Sequence, residues 1–187
     1  SSGTGTFSAT SCTLSGTGAS ASCQVSYTPT AVGTGTHTVT DTYAGDATHL
    51  GSSGSFSLTV AAPFDYSLSV SPTSATVTRG TTTVTTTATV TATLTSGAAT
   101  PVTLSATVSG PGTGVTASFG PNPITPTATS TMTVSVSSTA AAGTYTITIT
   151  GSPAGFTSAD EVATFTLTVV LPFDYGLAVS PTSFTVT

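Results

Sequence analysis

Charge is what this sequence has least of. Its 187 residues include Lys+Arg 1 and Asp+Glu 6, so charged residues make up 4% of the chain, where a soluble domain carries about 25%. The single basic residue, Arg79, cannot neutralise a run of phosphates, which excludes nucleic acid as a partner. Six carboxylates and two histidines, scattered over the chain, leave general acid/base catalysis and multidentate metal binding short of parts. No stretch approaches the roughly 20 apolar residues of a spanning helix. Trp is absent and aromatics are 7%, too few for the girdles of an outer-membrane barrel, so membrane insertion is not expected.

What stands in place of charge is hydroxyl: Ser and Thr are about 40% of the chain. The placing of the apolar residues separates this composition from a disordered or mucin-like stalk. Residues 81–95 put Val84, Thr86, Ala88, Val90, Ala92 and Leu94 on one parity and Thr on nearly every position of the other. A period of two sustained this long is a strand with one buried and one wet face. The same alternation recurs in Tyr66–Leu68–Val70, Val102–Leu104–Ala106–Val108, Val115–Ala117–Phe119, Met132–Val134–Val136, Tyr145–Ile147–Ile149 and Phe165–Leu167–Val169. Turn formers separate them, among them Ser96-Gly97, Gly120-Pro121-Asn122-Pro123 and Gly151-Ser152-Pro153. Many short strands without a helical period predict an all-β protein of antiparallel sandwiches.

An internal repeat sets the module length. FSLTVAAPFDYSLSVSPTSATVT, beginning at Phe56, returns as FTLTVVLPFDYGLAVSPTSFTVT, beginning at Phe165, an offset of 109 residues. Residues 1–60 thus read as a first sandwich lacking its opening strands, with strands expected at 4–8, 12–15, 19–27, 36–43 and 54–60. Residues 64–169 read as a complete sandwich. Residues 173–187 read either as the opening strand of a further repeat or as a strand donated to a neighbouring chain.

Gly35-Thr36-His37-Thr38-Val39-Thr40, followed by Tyr43, Gly45-Asp46 and His49, resembles the closing half of a bacterial immunoglobulin-like (Big-type) repeat. Asp41 departs from the pattern, standing where a small or apolar residue is usual. Ala142-Gly143-Thr144-Tyr145 resembles the start of the penultimate strand of such domains, whose Tyr hydroxyl bonds back to the preceding corner. The resemblance implies tandem immunoglobulin-like modules outside a cell, in hosts that range from adhesins and surface-layer proteins to secreted enzymes and fibres.

Individual residues sharpen this. A hairpin about Thr17-Gly18 sets Cys12 directly opposite Cys23 on the face shared with Leu14 and Ala21, which predicts a buried disulfide rather than two free thiols, and an oxidising compartment. His37 and Asp41 lie about 13 Å apart along a strand, too far for one metal ion. Asp46 and His49 share a turn, where an Asp capping backbone amides beside a packed His is the plain expectation. Phe64, Asp65 and Tyr66, repeated as Phe173, Asp174 and Tyr175, mark the junctions between modules. No nucleophile elbow surrounds either His, so no enzyme, cofactor or metal site is expected. Thr83, Thr85, Thr87, Thr89, Thr91 and Thr93 form a ladder suited to O-linked glycans, whereas Asn122, the one asparagine, precedes Pro and offers no N-linked site.

The sequence therefore predicts a secreted or cell-surface structural protein: a filament or stalk unit joined to copies of itself or to flanking repeats. The alternative is a spacer or carbohydrate-binding accessory module of a secreted adhesin or enzyme, which the lack of Trp disfavours.

Overall fold

The structure is a computed structural model describing residues 3–16, 20–156 and 160–178, with 180, 183, 185 and 186. Strands are its only regular elements among these residues, and none of its elements is a helix able to cross a membrane. The chain divides into two compact units, Ser1–Pro63 with Ser96–Ala98 and Phe64–Thr95 with Ala99–Thr187.

The first unit contains β1 (Gly5–Phe7), β2 (Tyr27–Pro29), β3 (Thr36–Tyr43) and β4 (Ser52–Thr59). β1 pairs antiparallel with β2, and β3 with β4. What packing there is gathers on Tyr27, whose ring meets Phe7 at 4.9 Å and His37 at 5.9 Å. His37 is fully buried. Of the strands expected at 12–15 and 19–27, most of the residues are irregular; Ser15 and Ser22 alone form an isolated antiparallel bridge. The reason is physical: Ser, Thr and Gly dominate here, and Leu14, Ala21 and Val25 find no covering layer that would fix a register.

The second unit is built from β5 (Asp65–Ser71), β6 (Ser74–Thr78), β7 (Val84–Ser96), β8 (Val102–Ser109), β9 (Val115–Gly120), β10 (Ala128–Val136), β11 (Gly143–Pro153) and β12 (Glu161–Val170). They form two four-stranded sheets, β5-β7-β10-β9 and β6-β12-β11-β8. This is an immunoglobulin-type order with one strand added, because β6 runs parallel to β12 while the other pairings with a register are antiparallel. The inward parity of both sheets supplies one core, including Val90, Met132 and Val134 from one side and Tyr145, Ile147, Phe165 and Leu167 from the other.

Three polar side chains tie this sandwich together. The Tyr145 hydroxyl donates to the Ala141 carbonyl at 3.0 Å, closing the corner at the start of β11. The buried Tyr66 hydroxyl on β5 donates to the Gly151 carbonyl and accepts from the Glu161 amide, joining the two sheets. Gly151, read from sequence as a turn residue, lies inside β11: a Cβ there would come 2.8 Å from the Tyr66 hydroxyl oxygen, so glycine is needed for the tyrosine to reach the backbone. Asn122 pairs its side-chain amide with both the N–H and the carbonyl of Leu104, at 2.9 and 2.8 Å, extending the edge of β8 as a strand would.

Candidate functional surfaces

The outer faces of the second unit are ranks of hydroxyls. Thr85, Thr87, Thr89 and Thr91 on β7 stand opposite Ser135, Thr133, Thr131 and Thr129 on β10, and Ser135 and Thr133 in turn face Thr116 and Ser118 on β9. On the other sheet Thr146 and Thr148 of β11 lie between Thr166 and Thr164 of β12 and Ser109 and Thr107 of β8. β6 widens this face with Ser74 beside Thr166 and Thr76 beside Thr168. Thr85, Thr87, Thr89 and Thr93 are exposed and Thr91 half-buried; Thr83 is exposed just before β7 begins. The period of two dictates this arrangement, since each apolar residue drawn inward turns its Thr neighbour outward. Charges are kept off the faces: Asp65 opens β5, Glu161 opens β12 and Arg79 follows β6.

In the first unit Asp46 organises the turn after β3. Its carboxylate accepts from the Thr48 and His49 amides at 2.7 and 2.9 Å and from the Tyr43 hydroxyl at 2.7 Å, and it meets His49 Nδ1 at 2.9 Å. The Tyr43 hydroxyl first, then the Thr48 amide and hydroxyl and His49, hold the Asp46 carboxyl far below the usual carboxylate range. The same hydrogen bond pushes the Tyr43 hydroxyl up. The expected amide capping is present, but His49 is exposed rather than packed. Asp41 lies exposed on β3. Among the described residues no group of three or more His, Cys, Asp or Glu is placed to hold a metal ion.

Cys12 and Cys23 form a disulfide with a Cα–Cα distance of 5.9 Å. Its setting differs from the sequence expectation. The neighbouring bridge pairs Ser15 with Ser22, which shifts the register two residues from one that sets Cys12 opposite Cys23. Cys12 is exposed and Cys23 half-buried, because no second layer covers them.

The two copies of the junction motif have different surroundings. Phe64 and Tyr66 stack at 5.4 Å within the core of the second unit rather than on a module surface. Phe173 and Tyr175, 5.8 Å apart, are 89% and 75% exposed, unlike their counterparts Phe64 and Tyr66. Asp65 and Asp174 are both exposed. Val179 and Phe184, part of the expected tail strands, lie outside the described residues.

One feature that the sequence did not single out is an open groove of about 950 Å³ in the first unit, lined by Phe7, Leu14, Val25, Val39, Tyr43 and Phe56.

Fold and surfaces together define an all-β, disulfide-containing protein with an immunoglobulin-type sandwich and uncharged outer faces. No protein-family model and no curated protein matches the chain. Among solved structures it is similar to domains 4 and 5 of the S-layer protein SbsC, with 21% identity and a TM-score of 0.41 over 64% of this chain and 52% of that one. It is also similar to the S-layer protein rSbsC(31-844), with 20% identity and a TM-score of 0.44 over 78% of this chain and 17% of that one. The chain thus spans about half of the first of these and about a sixth of the second.

Proposed function

We propose that this chain is a non-catalytic structural protein, a repeat unit of an extracellular filament or cell-surface stalk that joins copies of itself or flanking repeats. The observation that carries this reading is the sandwich of the second unit, whose two broad faces show hydroxyls and whose charged groups sit at strand ends, in a chain that repeats its own sequence at an offset of 109 residues. Such a surface offers no ionic partner a site, while its Thr ladder, Thr83 to Thr93, is a run of acceptors for O-linked glycans. The Cys12–Cys23 disulfide fits an oxidising, extracellular compartment.

Electron microscopy of the purified chain, with mass spectrometry of protein from its native source, tests both parts. Filaments or rods and hexose-sized mass increments on peptides spanning 80–96 are expected. Dispersed single particles at every concentration would refute the filament, and unmodified peptides would refute the glycans.

The alternative, a carbohydrate-binding accessory module, has one observation in its favour, the exposed Phe173–Tyr175 ring pair. Glycan-array binding that Tyr175→Ala abolishes would establish it.

A further inference from the structure

We propose that the open face of the first unit is the seat of residues 174–187 of a second copy of this chain, the end of that segment adding as a parallel strand along the outer edge of β4. This rests on the filament reading and names the contact that would build the filament.

The repeat makes the case by comparison within one molecule. Phe56, Leu58 and Val60 occupy the same repeat positions as Phe165, Leu167 and Val169. In the second unit β5 packs on β12 and β6 pairs with its edge, and Phe165 is 0% exposed. In the first unit β3 is the only sheet neighbour of β4 among the described residues, and Phe56 is 57% exposed, beside the groove that ends on it. Leu58 and Val60 are half-buried where Leu167 and Val169 are buried. The same closing-strand sequence is covered by β5 and β6 in the second unit and exposed in the first.

The tail shows the converse. Residues 174–187 repeat 65–78, the segment that forms β5 and β6, but 171–178 lie in no strand, and Tyr175, Leu177 and Val186 are exposed. Their counterparts Tyr66 and Val77 are buried in the second unit, whose own places for this sequence are filled by β5 and β6. Among the described residues the first unit thus shows an exposed apolar face, and 174–186 includes exposed residues of the sequence that covers the equivalent face in the second unit. An unpaired edge flanked by exposed apolar residues is a template for strand addition.

The register follows. In the second unit Ser74 lies opposite Thr166 and Val77 opposite Val169, in parallel; the 109-residue offset converts these to Ser183 opposite Ser57 and Val186 opposite Val60. Gly151 and Glu161, which bond the Tyr66 hydroxyl, are a facing pair of β11 and β12. Tyr43 and Ser52 are the corresponding facing pair of β3 and β4. Because Tyr43 carries the Cβ that Gly151 lacks, the Tyr175 hydroxyl of the second copy does not repeat the backbone contact of Tyr66, and what carries over is the strand register along β4.

The test mixes two full-length variants, Ser57→Cys and Ser183→Cys, neither of which can form the proposed link alone. Both positions are exposed, and neighbouring strands bring the Cα atoms to about 5 Å, within reach of a disulfide. Mild oxidation is expected to give a heterodimer on a non-reducing gel. A mixture of Ser57→Cys with Thr185→Cys, displaced to about 8 Å, is expected to give at least about tenfold less. Tyr175→Ala is expected to raise the concentration needed for assembly by at least about tenfold. Filaments with no Ser57–Ser183 link, or equal linking in both mixtures, overturn the donated strand and leave the filament standing. Linked soluble pairs without filaments keep the contact and overturn the filament. Neither link nor filament refutes both.

Discussion

His37 holds in the first unit the place that Tyr145 holds in the second. Each follows a Gly-Thr step at the start of its strand, Gly35-Thr36 and Gly143-Thr144, and each of those threonines faces the same repeat position, Thr59 or Thr168. Both rings are completely buried. They solve the corner differently: Tyr145 reaches back to the Ala141 carbonyl at 3.0 Å, whereas His37 Nδ1 meets the Tyr27 hydroxyl at 2.9 Å and its Nε2 has no partner among the described residues.

His37→Ala removes the one buried ring that Tyr27 packs against from β3 and is expected to cost about 2–4 kcal/mol, the range for emptying a buried site. The loss falls on the first unit. Urea unfolding followed by NMR should show resonances of residues 27–59 lost early while those of 84–169 keep their midpoint; a common shift would refute the assignment.

Tyr145→Phe keeps the core volume and deletes one hydrogen bond, leaving the Ala141 carbonyl short of its donor. A loss of about 0.5–1.5 kcal/mol in the second unit is expected from chemical denaturation. Tyr66→Phe should cost more, because its hydroxyl serves backbone groups on both β11 and β12 in a buried setting.

The pattern of residues explains how much of this was readable in advance. In β7, β10, β11 and β12 apolar residues alternate with Thr or Ser at most positions, which leaves one face for the core, and those strands formed where the alternation lies. Alternation does not encode direction, so the parallel pairing of β6 with β12 was not visible. Gly151 was misread because glycine marks turns more often than it marks a tyrosine approaching the backbone. Among the surfaces, the wet threonines were legible from parity, and the disulfide from spacing. The exposure of Tyr175 was not, since parity says which side of a strand a residue takes and nothing about whether a partner sheet is there.

The turn after β3 is expected to respond to acid. The Asp46 carboxyl is depressed in the folded protein, so its contribution is present above the unfolded carboxylate value of about 4 and is lost as pH falls toward the folded value. The Tyr43 hydroxyl runs the other way: raised in the fold, it supports the turn below pH about 10 and ceases to do so as pH rises through its folded value. Hydrogen exchange at the Thr48 and His49 amides should therefore quicken, relative to the intrinsic rate, below pH about 4, and Asp46→Asn should flatten that dependence. Protection unchanged by the substitution would refute it.

Trypsin has one possible target, since Arg79 is the only Lys or Arg. Its amide donates to the Val170 carbonyl at 2.8 Å and its guanidinium to the Ala140 carbonyl at 2.9 Å, so the segment is held against β12. The native chain is expected to stay whole under conditions in which the denatured chain gives two fragments, one ending at Arg79 and one beginning at Gly80, resolved by intact mass. Equally fast cleavage of the native chain would show that this segment opens readily.

The hydroxyl ranks have one more consequence. A face without charge gathers no counterions, so two such faces approach one another on the same terms in dilute and in concentrated salt. Each hydroxyl both donates and accepts, and a rank of them is complementary to another rank, to a sugar and to water alike. How closely these sheets approach is therefore governed by hydration, and drying or osmotic stress, rather than ionic strength, is the variable that brings one face against the next.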